Sequence, residues 1–287
     1  MDIDQAKTFL AIAAYGSFLE AAKRLHVTQS TVSARILNLE ADLGATLFVR
    51  NRSGAHLTPA GRRFLQHAKN LVLTVEQARH DVGLPDRYRA SLRIGGRIAL
   101  WEGFLPRWVG WMRRSAPDVS IQSEIGFEDD LMRRLIEGTL DIGLMYTPHH
   151  SPGLVIEHLF DEILVLVSTR GDLRWPGEDY VYVDWGPGFF AKHREHYPDL
   201  ERPAQMVNIG WLGVQLILAN GGSCFLPMRM ARPLIDAGRF FLASRGPEIL
   251  HPAYMVMPRE AETDVLREAV RGLRELAREE QDSATAS

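Results

Sequence analysis

Phe18-Leu19-Glu20-Ala21-Ala22-Lys23-Arg24-Leu25-His26-Val27-Thr28-Gln29-Ser30-Thr31-Val32-Ser33, then Leu47-Phe48-Val49-Arg50-Asn51-Arg52, then Leu57-Thr58-Pro59-Ala60-Gly61 is the stretch whose reading decides the fold. Ser17 opens a helix, and Glu20 three residues on completes a Ser-x-x-Glu capping box. Ala21, Ala22 and Leu25 face inward, and the small alanines let two helices cross closely. The chain turns at His26-Val27. Thr28 then caps a third helix with Val32, Ile36, Leu39 and Leu43 as its buried face, ended by Gly44. Upstream, Phe9, Leu10, Ile12 and Ala13 stripe a first helix from about Asp4 to Tyr15, and Gly16 is placed to end it. Two short helices at a tight turn with a basic hairpin behind them form a winged helix-turn-helix.

The outward positions of the third helix are Gln29, Ser30, Thr31, Ser33, Ala34 and Arg35. They are short or polar at the N-terminal end, where a recognition helix meets base edges. Gln suits adenine, Ser either base, and Arg guanine or phosphate. The DNA-binding set is therefore Thr28, Gln29, Ser30, Thr31, Ser33 and Arg35, with Arg50 and Arg52 of the wing on phosphates. A solvated polar face is the plain alternative, and the turn before the helix and the wing after it weigh against it.

Charge agrees with this polarity. Residues 1–90 carry 12 Lys and Arg against 8 Asp and Glu, a net of +4, while residues 91–287 carry 21 against 28, a net of −7. A basic head on an acidic body suits a polyanion at one end only. No signal peptide is visible at Met1-Asp2-Ile3-Asp4, and no apolar run reaches 18 residues, so a cytoplasmic protein without a membrane span is expected. The single cysteine, Cys224, rules out an intrachain disulfide framework and reads as part of a buried strand. His149-His150 and His193-x-x-His196 lie in a loop and a surface helix without the partners a metal needs, so no metal and no cofactor is expected. No Ser-His-Asp, P-loop or Rossmann signature occurs, so the chain does not read as an enzyme. Trp101, Trp108 and Trp111 read as packing residues.

Thr58-Pro59 starts a long helix to about Val82. Phe64, Leu65, Ala68, Leu71, Val72, Val75, Ala78 and Val82 stripe it at roughly 3.5-residue spacing. It has no obvious partner within its own chain and is expected to pair with a second copy. Gly83-Leu84-Pro85-Asp86 then breaks it as a hinge. Beyond lie strands at Leu92–Gly95, Val119–Ile125, Leu140–Met145, Ile163–Val167, Tyr180–Asp184, Met206–Asn208 and Ala253–Met257. Helices alternate with them at about Trp101–Arg114, Asp129–Glu137, Phe189–His196, Trp211–Ala219 and Thr263–Glu280. This alternation predicts an α/β body with a largely parallel sheet.

The chain resembles the LysR-type transcriptional regulators over nearly its whole length. The family pattern Phe-x-x-Ala-Ala-x-x-Leu-x-x-Thr-Gln-x-x-Val-Ser is met at Phe18, Ala21, Ala22, Leu25, Thr28, Gln29, Val32 and Ser33. Leu47, Phe48 and Arg50 meet Leu-Phe-x-Arg, and Leu57, Thr58 and Gly61 meet Leu-Thr-x-x-Gly. Ala34 stands where relatives often carry Arg or Lys. The resemblance implies a winged helix-turn-helix (1–58), a linker helix and hinge (59–90), and a periplasmic-binding-protein-like effector domain (91–287). Its lobe I would be 91–161 with 255–280 and its lobe II 162–254, the chain crossing near Asp161 and returning near Tyr254.

Ligands of open α/β sheets sit at the carboxyl ends of strands, which here are Gly96–Ala99, Gly126–Glu128, Tyr146-Thr147, Asp184–Gly186, Asn208-Ile209 and Gly221-Gly222. The expected effector contacts are Arg97, Ile98, Ala99, Phe127, Tyr146, Trp185, Asn208 and Gly222. Relatives often carry Ser or Thr on the first of these loops to hold a carboxylate; here Arg97 is expected to supply a charged contact, unless it pairs structurally with Glu128 or Asp184. The implied partners are double-stranded DNA with a pseudo-palindromic site, a small organic anion as effector, further copies in a homodimer and homotetramer, and RNA polymerase. The rival reading is a constitutive DNA-binding protein whose body only oligomerises.

Overall fold

The structure is a computed structural model that describes all residues except 52–53, 172–175, 201–202, 244–245, 260–262 and 286–287, with the side chains of 73, 76–77, 79–81 and 283–285 also left aside. The chain forms two compact units, one of residues 1–85 and one of residues 86–136 and 140–287.

The first unit follows its capping signals closely. Helix α1 (Ile3–Tyr15) starts at Asp2, whose carboxylate accepts from Gln5 N–H while the Gln5 side chain returns to Asp2 N–H, a full capping box. Helix α2 (Phe18–Arg24) starts at Ser17, whose hydroxyl accepts from Glu20 N–H. Helix α3 (Gln29–Leu43) starts at Thr28 and stops at Gly44, which, like Gly16 after α1, is left-handed at φ 63°. The turn between α2 and α3 puts His26 at φ 54°, a conformation non-glycine residues seldom take. Strands β1 (Phe48–Asn51) and β2 (Gly54–Leu57) pair antiparallel as the wing. Helix α4 (Pro59–Val82) is capped by Thr58, whose hydroxyl accepts from Gly61 N–H and donates to Thr46 C=O.

The core of this unit is aromatic: Phe9 meets Phe48 and Phe64 at 5.1 and 5.0 Å, and Phe18 meets Phe48 at 5.9 Å. Two expectations change. Leu43, the last residue of α3, is exposed, one turn beyond the buried stripe of Val32, Ile36 and Leu39. The long helix does have a partner in its own chain: Phe64 and Ala68 are buried in the aromatic core, with Leu65 and Val72 packed against it. Only the later stripe, Leu71, Ala78 and Val82, is exposed, and Val82 is 88% so.

The second unit is built on one seven-stranded sheet. Its strands are β3 (Ala90–Gly96), β4 (Val119–Ile125), β5 (Ile142–Met145), β6 (Leu154–Ser168), β9 (Ser223–Pro227), β10 (Phe241–Leu242) and β11 (Ile249–Pro258), ordered β10-β6-β11-β5-β3-β4 with β9 also on β6. A separate pair, β7 (Val181–Val183) and β8 (Gln205–Val207), is parallel. The expected largely parallel sheet is corrected to a mixed one. β3 runs parallel to β4 and β5, but β6 and β11 run antiparallel to each other and to β5 or β9. The reason is topological: β6 carries the chain out of one lobe and β11 carries it back, so the two must oppose. A bulge at Ala253/Tyr254 marks the return.

The helices are α5 (Ile98–Trp101), α6 (Phe104–Ser115), α7 (Glu128–Glu137), α8 (Pro187–His196), α9 (Gly210–Asn220), α10 (Met228–Asp236) and α11 (Asp264–Thr285). The helix expected over Trp101–Arg114 is broken at Glu102-Gly103, where Gly103 takes φ 110°. Helix α10 has no counterpart in the sequence reading, because Pro227 before it and Pro233 within it mask its period. Helices α6 and α11 pack tightly: Trp108 is fully buried and donates to Ala269 C=O at 2.9 Å. The Trp111 indole fills the space a Cβ at Gly272 would occupy. Among the described residues no helix is long and apolar enough to cross a membrane.

Candidate nucleic-acid interface and inter-lobe cleft

In the first unit α3 presents its opening turn outward. Gln29 and Ser30 are exposed, and Thr31 and Ser33 are half-buried. Thr28 works as a cap: its hydroxyl accepts from Thr31 N–H at 3.2 Å and bonds Ser30 and Thr31 Oγ at 2.8 Å each. Arg35 is tied down, with its guanidinium on Asp4 at 2.6 Å. Arg50 lies over the Phe18 ring at 3.5 Å and donates to Ser33 Oγ at 3.5 Å, so the wing is fastened to α2 through a cation–π contact and to α3 through a hydrogen bond. Arg52 lies outside the described residues. Sequence reasoning missed Glu40, whose carboxylate accepts from Leu47 and Phe48 N–H at 2.6 and 3.2 Å and so sets where the wing starts. Ser and Thr caps are visible from local spacing; a carboxylate reaching seven residues on is not.

In the second unit the carboxyl ends of β3, β4 and β5 lie on one edge because these strands are parallel, and those of β7 and β8 share an edge in the other lobe. Residues from both edges meet. The Arg97 guanidinium pairs with Glu128 at 3.3 Å, sits over Phe127 at 4.5 Å and reaches Asn208 C=O at 3.5 Å. Tyr146 meets Trp185 edge-on at 6.3 Å. Ala99 is buried and Ile98 half-buried in α5. The pairing of Arg97 with Glu128, posed from sequence as an alternative to a ligand contact, is therefore present, and no Arg97–Asp184 pair accompanies it among the described residues. Gly222 does not join the group. It precedes β9 rather than following a strand, and packs on Asp179 with its carbonyl accepting from Thr169 N–H.

The carboxyl end of β9 delivers Arg229 instead, the residue that sequence reasoning missed. Its guanidinium bonds Glu162 and the carbonyls of Ala99 and Glu102, and lies 3.5 Å from Glu280 on α11. Tyr146 donates to the same Glu162 at 3.1 Å. Burial pushes the Glu162 carboxyl up against the pull of Arg229. Burial alone would lower Arg229, but Glu162, Tyr146 and Glu280 together outweigh it and raise it, keeping the guanidinium charged. Burial likewise raises the Glu102 carboxyl. His251, also unforeseen, packs at a tilt on Tyr146 at 4.3 Å.

The remaining candidates are structural. His193 is not on a surface helix face as expected; it is buried, bonds Tyr180 Oη at 2.9 Å, and desolvation holds it at about 4. Burial pushes the Cys224 thiol well up, away from reactivity. Among the described residues no group of three or more His, Cys, Asp or Glu is placed to hold a metal ion.

Comparison with known proteins matches both units. Residues 3–62 match the profile of the bacterial regulatory helix-turn-helix protein, lysR family, and residues 85–282 that of the LysR substrate binding domain. The HTH-type transcriptional regulator HdfR of Yersinia pestis (strain Pestoides F) is 28% identical over 300 residues, covering 100% of this chain and 99% of its own. Two solved structures share the fold. LysG from Corynebacterium glutamicum, a full-length regulator with bound effector Arg, is 21% identical, with a TM-score of 0.59, over 97% of this chain and 99% of that one. Full-length CbnR complexed with its target DNA is 23% identical, with a TM-score of 0.52, over 96% and 100%.

Proposed function

Because the chain belongs to the lysR family of bacterial DNA-binding transcriptional regulators, we propose that it is a cytoplasmic, ligand-responsive regulator of a pseudo-palindromic promoter site. Gln29, Ser30, Thr31 and Ser33 read bases, while Arg50 and Arg52 add phosphate contacts. Thr28 and Arg35 hold the reading helix in place. The exposed Leu71, Ala78 and Val82 of α4 pair with a second copy, and the bodies pair again to give a tetramer. Two-fold symmetry in the protein is then mirrored in the operator. A small organic anion binds between the lobes beside Arg97, Ile98, Ala99, Phe127, Tyr146, Trp185 and Asn208. Its preference for one arrangement of the body shifts DNA bend and polymerase recruitment.

The observation that carries this reading is the opening turn of α3: exposed, polar, capped at Thr28 and flanked by a wing fastened through Arg50. One observation favours the constitutive alternative: Arg97 and Arg229 already find carboxylates within the body. Fluorescence anisotropy on the intergenic DNA beside the protein's own gene, across salt and with a metabolite panel, decides. Salt-steep, specific binding that a small acid modifies is the expected result. Specific binding that no metabolite alters establishes the constitutive reading, and an absence of specific binding to any promoter removes the recognition-helix assignment.

A further inference from the structure

His251 lies on β11 opposite Glu162 of β6, at the point where the chain passes between the lobes. It is 4% exposed, packs at a tilt on Tyr146 and meets Trp185 at 6.2 Å. Its Nε2 is buried without a hydrogen-bond partner, a costly arrangement for a polar atom unless something else supplies one. Desolvation, with Arg97 and Lys192 adding to it, holds the imidazole at about 4, so it is neutral at physiological pH.

The neighbouring polar groups are already engaged. Tyr146 donates to Glu162, Trp185 donates to Phe225 C=O at 2.9 Å, and Asp184 accepts from Gly186 N–H at 2.9 Å. Arg97, paired with Glu128 at 3.3 Å on one side, also reaches Asn208 C=O of the facing lobe at 3.5 Å, and the Phe127 ring beneath it is 47% exposed. Across from Arg97, α9 begins at Gly210 with no side-chain cap from Ile209, so the positive pole of an eleven-residue helix is left without a side-chain acceptor. Gly210 itself is where the Trp185 ring packs, in space a Cβ would fill. A cation, a helix N-terminus, an aromatic wall and one unsatisfied neutral nitrogen are thus gathered at one place.

We propose that this cleft takes an aromatic carboxylic acid bearing a ring hydroxyl. Its carboxylate lies on Arg97 and the α9 N-terminus, its ring lies against Phe127 and the Tyr146–Trp185 wall, and its hydroxyl bonds His251 Nε2. A hydroxyl both donates and accepts, so it suits either tautomer of the neutral ring. The inference rests on the effector reading of the cleft and adds the ligand class and a specificity residue to it.

The test is calorimetric titration of the full-length protein with benzoate, 3- and 4-hydroxybenzoate, succinate and arginine. A hydroxybenzoate is expected to bind about tenfold tighter than benzoate. His251→Phe keeps a ring on Tyr146 and removes the nitrogen, so that ratio should fall to about one. His251→Gln, which keeps a hydrogen-bonding group, should restore part of the ratio and serves if the Phe variant does not fold. A ratio of two affinities is insensitive to a mere loss of stability. An unchanged ratio in both variants overturns the role of His251 and leaves the effector reading standing. Binding of succinate or arginine in place of the aromatic acids overturns the ligand class. Silence of all five compounds overturns the ligand class and the role of His251, and leaves the effector reading to the wider metabolite panel.

Discussion

The two units hold their polar groups in opposite ways. In the N-terminal unit the side-chain bonds that start helices span three residues: Asp2 to Gln5, Ser17 to Glu20, Thr28 to Thr31 and Thr58 to Gly61. Its core is a cluster of phenylalanines. In the C-terminal unit the polar groups that matter meet across the sequence. Arg229 reaches Glu162 from 67 positions away and Ala99 from 130, and Arg97 reaches Asn208 across 111. Glu162, His193 and His251 are buried there. The head is assembled from local signals. The body places charge inside, where every partner is supplied by topology and the loss of one leaves another exposed to a low dielectric.

The largest expected effect follows from that difference. Arg229→Met leaves Glu162 buried without its cation and should destabilise the C-terminal unit by roughly 3–5 kcal/mol. Hydrogen exchange would show faster opening in β6, β9 and α11 with the amides of α1 to α3 unchanged. Arg229→Met combined with Glu162→Leu should recover most of the loss, because an apolar replacement of the whole pair removes the stranded charge. A single variant as stable as wild type would show that the cluster adds no stability.

Acid should also act on the body through its buried histidines. His193 and His251 both sit at about 4 because burial disfavours the imidazolium. Each folded value lies below the unfolded value of 6.5, so the unfolded chain binds the proton more readily. Their stabilising contribution is complete above pH 6.5 and is lost as pH falls from there to about 4, by roughly 3 kcal/mol each at most. Denaturant unfolding of the body at pH 7.5 and pH 5 should show this slope. His193→Phe should flatten part of it, though it also costs the Tyr180 bond at both pH values. An equal slope in wild type and variant would mean His193 is not buried as a neutral ring.

The same contrast explains what could be read from the amino-acid sequence. Ser17, Thr28, Thr58, Gly16 and Gly44 announce helix ends within three residues, so the winged helix-turn-helix was legible element by element. Periodicity puts Leu43 on the same face as Val32, Ile36 and Leu39, but spacing along a helix does not say how far the core beneath it extends, and it stops before that last turn. In the body, strand positions were visible from apolar runs, but their direction was not: nothing local in β6 or β11 says that they oppose. The strand-end rule found Arg97, Phe127, Tyr146, Trp185 and Asn208, which the structure brings together. It selected Gly222 in error because Gly221-Gly222 looks like a break after a strand rather than before one. Applied to β9 as it stands, the same rule gives Arg229. Glu162 and His251 lie inside long strands, where a polar residue in an apolar run signals a buried partner but does not name it.

The smallest effects separate residues that read DNA from residues that hold the reader. Thr28→Ala removes a cap and should cost about 1 kcal/mol of stability in the N-terminal unit. Gln29→Ala should leave stability within about 0.5 kcal/mol and relax base preference by roughly 1–3 kcal/mol at one operator position. Arg35 was grouped with Gln29 by its place on the helix, but its guanidinium is on Asp4 at 2.6 Å. Arg35→Ala should therefore behave like a lost surface ion pair, about 1 kcal/mol or less in stability, with the ranking of operator variants unchanged. Asp4→Ala should match it in stability. If instead Arg35→Ala relaxes the ranking and Asp4→Ala does not, the arginine leaves Asp4 on binding and belongs with Gln29, and the head would then contain one contact that its own free structure hides.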